Sequence, residues 1–161
     1  MDIIFLMQDV FTGILSTLIM DCNSLLMKHI FKIKILNYAW LGRWLLSIQD
    51  GKLVHQNITH SSIKKHEKAL GWFLHYLIGI LLVFIFLYSC KQYNFDLNFK
   101  NSLIFSILTT LIPFLIMQPL FGFGFFASKT PNQMISLRNS IISHLSFGVG
   151  IYICLKIITN S

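Results

Sequence analysis

The sequence predicts an all-α polytopic membrane protein, with four transmembrane helices in an antiparallel bundle and one cytoplasmic interfacial amphipathic helix. Three observations support this fold class. Hydrophobic residues make up 55% of the 161 positions and charged residues only 12%, about half the charged fraction of a soluble domain. Four apolar stretches approach the length of about 20 residues that a membrane-spanning helix needs. Most Lys and Arg residues lie between these stretches rather than within them.

The four spans form one integral membrane domain that covers residues 1–161. We expect them at about residues 3–30, 70–88, 103–121 and 141–158. The first span should stay in the mature protein, because Met1–Asp2 is not the basic start of a signal peptide. Pro119 disfavours helix at Gln118, so the third span should end either in a broken, re-entrant segment or in a simple proline kink.

The segment between the first two spans contains the predicted interfacial helix, at about residues 37–48. Trp40 and Trp44 recur at near-helical spacing among apolar residues with Arg43 between them, which is typical of a helix on a membrane surface. The polar stretch that follows gives no clear structural prediction. We expect solvated surface positions for the histidines of this basic region, which are His29, His55, His60 and His66.

The distribution of basic residues predicts the orientation. The first inter-span segment carries more Lys and Arg than the other two segments together, so it should be cytoplasmic. We therefore expect a multi-pass protein of the bacterial inner (cytoplasmic) membrane with both termini in the periplasm. This topology accounts for the net charge of +7, and no segment is typical of a nucleic-acid-binding module.

Each predicted span carries one polar side chain that hydrocarbon disfavours: Asp21, His75, Gln118 and His144. Counted from the nearest cytoplasmic charge, Asp21, His75 and His144 each lie about 9–10 Å inside at 1.5 Å per residue. Gln118 reaches a similar depth if the glycine-containing segment after it bends. Because polar groups at membrane depth are costly, such residues indicate a functional site.

Small residues flank the ionisable side chains at helical spacing, which predicts that the polar faces point into the bundle. They are Gly13 and Thr17 before Asp21, Gly71 and Gly79 around His75, and Ser140 and Gly148 around His144.

Three interpretations of this polar layer remain open. The first is a pocket for a proton or a substrate, with Tyr76, Arg43 and Arg138 as further candidates for contacts to substrate or lipid headgroups. The second is a metal site formed by Asp21, His75 and His144; no other cofactor is predicted. The third is a set of helix-to-helix hydrogen bonds, worth roughly 0.6–2 kcal/mol each.

Five segments carry a family resemblance: MDCNSLL at 20–26, NYAWLGRW at 37–44, ALGWFLHYLIG at 69–79, PFLIMQPLFGFGFFASKTPN at 113–132 and LRNSIISHLSFGVGIY at 137–152. On the basis of these segments, the chain resembles a family of small bacterial four-span inner-membrane proteins of unknown function. The resemblance implies that the candidate residues fall in signature segments, and it implies no activity. Asn37, where the family pattern has Asp, and the more polar stretch 51–65 depart from it.

The sequence favours a transporter-like or channel-like function with the polar site near the cytoplasmic side. Four spans rarely enclose a full permeation path, so we expect a homo-oligomer. The expected partners are the bilayer and anionic lipid headgroups at the cytoplasmic face. The alternatives are an intramembrane enzyme acting on a lipid-like substrate and a non-catalytic accessory or scaffold subunit. The lack of a P-loop or an HExxH motif favours a non-enzymatic protein.

Overall fold

The computed structural model describes residues 3–33 and 35–159, and the side chains of 6–33 and 35–158 within them. The described residues form helices and no strand. The helices are α1 (Ile3–Phe31), α2 (Ala39–Ile48), α3 (Glu67–Tyr93), α4 (Phe99–Thr109), α5 (Gln118–Leu120) and α6 (Gln133–Thr159). The all-α prediction is confirmed.

Four helical segments are long and apolar enough to cross a membrane, as the hydropathy pattern predicts. They are Leu6–Phe31, Glu67–Tyr93, Phe99–Leu120 and Gln133–Ile158. The second, third and fourth begin earlier than expected, because hydropathy detects only the apolar part of a helix and the flanking polar turns remain helical. The protein is therefore a membrane protein with four candidate spans.

The chain divides into two compact units. The bundle unit contains the described residues within 1–34, 76–109 and 141–161, and the connector unit contains 35–75 and 110–140. Helices α3 and α6 contribute to both units, so each unit is built from segments that are distant in the sequence.

The bundle unit is an antiparallel four-helix arrangement held by close contacts at small residues. A Cβ on Gly148 would overlap Ser106 of α4, and a Cβ on Gly150 would lie 2.8 Å from the Ser16 Cα of α1. Such contacts let helix backbones approach closely in a membrane, where hydrophobic burial contributes little to helix association. An apolar core completes the packing, formed by Val83, Phe86, Cys90, Phe147 and Ile151.

The connector unit packs α2 against the first turns of α3. Gly42 of α2 faces the Glu67 carbonyl, and Gly71 of α3 faces the Tyr38 carbonyl, with no room for a Cβ at either glycine. The face of α2 toward the protein is buried, so α2 is a packed element as well as an amphipathic one.

The segment after α2 docks on the end of the third span through backbone hydrogen bonds. The amide of His55 donates to the Leu120 carbonyl and the amide of Ile58 to the Phe121 carbonyl, both at 2.9 Å. Ile58 is fully buried. The structure thus gives a defined place to a stretch whose conformation short-range sequence patterns do not predict.

The third span contains a π-helical turn at Pro113–Met117 before α5. Gln118 has φ −63° and ψ −45°, so the expectation of non-helical backbone there is wrong. A π turn leaves room for a residue without an amide donor, which allows the helix to pass through Pro119. The irregular segment follows later, with positive φ at Gly122, Gly124, Phe126 and Ala127.

Candidate functional site

Asp21 lies in the bundle unit at the end of a close contact between α1 and α3. Asp21 is only 6% exposed, and its carboxylate accepts a hydrogen bond from the Tyr76 hydroxyl. One turn earlier, Thr17 is 1% exposed and packs so closely on Gly79 that a Cβ there would collide with the Thr17 hydroxyl. The small-residue stripe predicted for α1 therefore faces another helix, and the carboxylate continues that stripe.

His144 lies at the same end of the bundle unit. Its Nδ1 is 2.7 Å from the Thr109 hydroxyl, which also donates to the Ser106 carbonyl. Because the threonine proton is used in that bond, the geometry favours an imidazole that donates from Nδ1 to the Thr109 hydroxyl. The neighbouring Ser143 bonds Ser24 of α1 at 3.2 Å, and Ser24 lies one turn beyond Asp21.

His75 belongs to the connector unit, unlike Asp21, Tyr76 and His144. Its ring stacks on Tyr38, with centroids 3.9 Å apart and an interplanar angle of 20°. Trp72 meets the edge of the same tyrosine ring at 4.7 Å. In this unit His75 is part of an aromatic cluster, and a site that it shares with Asp21 stays a prediction.

Gln118 is half-buried in the connector unit, and its Oε1 is fully buried without a hydrogen-bond partner among the described residues. Its backbone carbonyl accepts the Phe123 amide at 2.8 Å, which stabilises the turn after the third span. A buried acceptor of this kind costs free energy, so Gln118 keeps its place among the candidate binding residues.

Arg43 is almost completely buried and makes a two-pronged ion pair with Glu67. Its Nε and Nη2 donate to the two carboxylate oxygens at 2.7 Å each, and Nη1 donates to the carbonyls of Ile58 and Ser61. The hydrogen bond to Glu67 holds the pKa of Arg43 above its usual value, despite the opposing effect of burial. The guanidinium therefore joins α2, α3 and the segment between them.

Arg138 is exposed on α6, where its guanidinium lies 3.4 Å from the Asn139 side-chain oxygen. It is therefore accessible to an anionic group in a way that the buried Arg43 is not.

His55 corrects one expectation from the sequence. Three histidines of the basic region are exposed as predicted, but His55 is only 7% exposed. Its Nδ1 is 2.8 Å from the Ser61 hydroxyl, while Nε2 is buried and has no hydrogen-bond partner among the described residues. Burial, and then the charges of Lys52 and Arg43, lower the pKa of His55.

Among the described side chains, no three His, Cys, Asp or Glu residues come together in an arrangement that could hold a metal ion. The polar groups described above are suited to exchange protons and to bind polar or charged groups through hydrogen bonds.

The five segments that carry the family resemblance extend along almost the whole chain, and comparison with protein families supports that resemblance. A family model described as "Protein of unknown function (DUF2938)" matches residues 10–158. The chain belongs to the DUF2938 family. No curated protein matches it, and no solved structure does.

For this DUF2938 protein, sequence reasoning missed two residues that the structure makes prominent. Glu67 follows a long basic segment that lacks acidic residues after Asp50, and an isolated acid of this kind was a signal for a partner among the basic residues. His55 had no comparable signal, because its burial depends on pairing with the distant Leu120.

Proposed function

We propose that this DUF2938 protein is a transport-type protein of the bacterial inner membrane that binds a proton or a small cationic solute at Asp21. One observation carries the proposal, namely a carboxylate that is 6% exposed inside a candidate span with the Tyr76 hydroxyl as its partner. A buried acid at membrane depth is costly to retain and commonly marks the path of a proton or an ion.

The surroundings of Asp21 support an exchangeable site. Hydroxyl groups accompany it at the same end of the bundle unit, contributed by Tyr76, Ser24 and Ser143. Hydroxyls both donate and accept, so they can follow a carboxylate between its charged and neutral forms. The imidazole of His144, bound to Thr109, adds a second group that can donate or accept a proton.

In this proposal both termini face the periplasm and Asp21 lies toward the cytoplasm, as the basic inter-span segments favour. Four helices are too few to enclose a complete permeation path, so in this proposal the functional form is a homo-oligomer. Large apolar side chains are exposed along the spans, as lipid or a second copy would require.

The test measures protonation of Asp21 and proton flux on the same samples. Infrared difference spectra between acidic and neutral pH should show a carboxylic acid band that Asp21→Asn lacks. Proteoliposomes containing a pH-sensitive dye and driven by a potassium diffusion potential should acidify faster with the wild type than with Asp21→Asn. Asp9→Asn is the matched control, because it removes the other carboxylate within the first span.

A well-folded Asp21→Asn protein with the wild-type infrared band and the wild-type flux would contradict the proposal. It would leave the scaffold alternative, in which Asp21 only joins helices.

A further inference from the structure

The connector unit contains an open cavity of about 430 Å³ between residues 54–56 and residues 119–129. Its polar lining comes from His55, Gln56, Ser128 and Lys129. These residues lie in the first and third inter-span segments, which share one side of the membrane when all four spans cross it. The cavity is outside the proposed proton site and is independent of it.

The walls of this cavity are held in place by close backbone contacts. The His55 amide is bonded to the Leu120 carbonyl at 2.9 Å, which fixes one wall against the other. Gly122 has φ +83° and lies against the carbonyls of His55 and Gln56, where no side chain would fit. Gly124, with φ +73°, allows the Ser128 hydroxyl to come close to the backbone. The backbone walls of the cavity are therefore preformed.

His55 provides a polar atom that has no hydrogen-bond partner among the described residues. The residue is 7% exposed, its Nδ1 is engaged by Ser61, and its buried Nε2 has no hydrogen-bond partner among the described residues. Because an unsatisfied buried nitrogen is costly, a ligand that bonds it would gain more than at an exposed histidine. His55 itself lines the cavity.

The charges around the cavity indicate which sign of charge the ligand should carry. Lys129 lines it, and Lys52 and Arg43 both act on His55 electrostatically. Arg43 is balanced by Glu67, but no acidic residue is among the described residues that line the cavity. The local potential is therefore positive, and an anion with several oxygen atoms could accept bonds from the lysine, the imidazole and the Ser128 hydroxyl together.

We propose that this cavity binds a phosphate-bearing anion, either the headgroup of an anionic phospholipid or a free phosphate compound, with His55 and Lys129 as its principal contacts. The volume and the proximity to the end of the third span suit a headgroup or a small phosphate ester. Binding favours the protonated imidazole, which donates from Nε2, so affinity increases as the pH falls.

The test uses the full chain in an uncharged detergent and follows tryptophan fluorescence. Trp44 donates from Nε1 to the Leu53 carbonyl at 2.9 Å, beside the cavity wall at Val54, so it should respond to binding. One arm titrates inorganic phosphate. The other arm adds mixed micelles with phosphatidylglycerol, with phosphatidylcholine as the zwitterionic reference.

The variants are His55→Asn, which keeps a group near the Nδ1 position and removes Nε2, and Lys129→Gln. Lys65→Gln is the matched control, because Lys65 is an exposed lysine of the same unit that does not line the cavity. Losing one charge-assisted bond should weaken binding about tenfold or more in each cavity variant and leave the control unchanged.

Each result decides the proposal. Saturation by phosphatidylglycerol alone identifies a lipid headgroup, and saturation by inorganic phosphate identifies a free phosphate. Either result supports the site if the cavity variants weaken the binding of that probe. No saturable response to either probe would overturn it, as would equal weakening by Lys65→Gln. If His55→Asn does not fold, Lys129→Gln carries the decision, because Lys129 is exposed and contributes little to the fold.

Discussion

Arg43 and Glu67 face each other as a two-pronged ion pair, in which two guanidinium nitrogens each donate to a separate carboxylate oxygen at 2.7 Å. The side chains are 7% and 10% exposed. The same carboxylate also accepts the Lys64 amide at 2.8 Å, so it holds the turn that precedes α3. One acidic side chain thus joins α2, α3 and the turn before α3.

The first prediction concerns this buried pair. Glu67→Gln should lower the free energy of unfolding by about 3–5 kcal/mol, because it leaves the Arg43 charge buried without its counter-charge. The measurement is thermal or denaturant unfolding of the detergent-solubilised protein, followed by tryptophan fluorescence. Asp50→Asn is the control, since it breaks the exposed ion pair with Lys64 and should cost about 1 kcal/mol or less. Similar losses of unfolding free energy for Glu67→Gln and Asp50→Asn would contradict a buried, stabilising Arg43–Glu67 pair.

The second prediction tests the contact between α1 and α3. Gly79→Ala should destabilise the protein by about 1–3 kcal/mol, because the new methyl group overlaps the Thr17 hydroxyl. Adding Thr17→Ala should recover part of that loss, since it removes the overlapping atom. Gly13→Ala offers a contrast: its Cβ would lie 2.6 Å from the Ile80 Cα, so no side-chain truncation can relieve it. A double-mutant cycle measures the coupling, and strict additivity would argue against the contact.

The third prediction concerns the segment that docks on the end of the third span. Gly122→Ala should be clearly more destabilising than Gly51→Ala, although both glycines have positive φ. The reason is that a Cβ at Gly122 meets the carbonyls of His55 and Gln56, while none of the described atoms lies within 4 Å of one at Gly51. Both variants share the backbone strain of about 1 kcal/mol or more. Limited proteolysis of residues 49–66 should show the difference directly.

The fourth prediction is a pH dependence of stability in phosphate-free buffer. The folded-state pKa of His55 is lowered, first by burial and then by Lys52 and Arg43, so the unfolded chain binds the proton more readily. Stability should therefore fall as the pH drops through the unfolded value of about 6.5, and stop falling below the folded pKa. His55→Asn should remove this dependence, and His60→Asn, at an exposed position, should not.

The four spans were predictable because lipid imposes a length and a composition that remain visible in the sequence. The face of α1 was predictable for a similar reason, since small residues at every fourth position mark a close helix contact. The Tyr76 hydroxyl as a partner of Asp21 was harder to predict, because Tyr76 was only one of several candidates beside the polar layer. Gly71 and Gly79, which flank His75 in the sequence, contact Tyr38 and Thr17, and a site that His75 shares with Asp21 remains a prediction.

The connector unit was the less predictable part, because its contacts join residues that are far apart in the sequence. His55 and Leu120 pair through backbone atoms, which carry no side-chain signal. Sequence spacing predicts Arg43 on a surface helix beside two tryptophans, whereas in the structure it is buried and paired with Glu67. Short-range patterns predict helices and their faces, whereas pairing between loops depends on the assembled fold.

The π-helical turn at Pro113–Met117 has an evolutionary consequence. A turn of this type accommodates one residue more than an α-helical turn, so removing one residue from it would restore α geometry without moving either flanking segment out of register. We therefore expect single-residue length differences among DUF2938 homologues to concentrate at this point of the third span. Elsewhere in the span, one deletion would rotate every later side chain by about 100° around the helix axis.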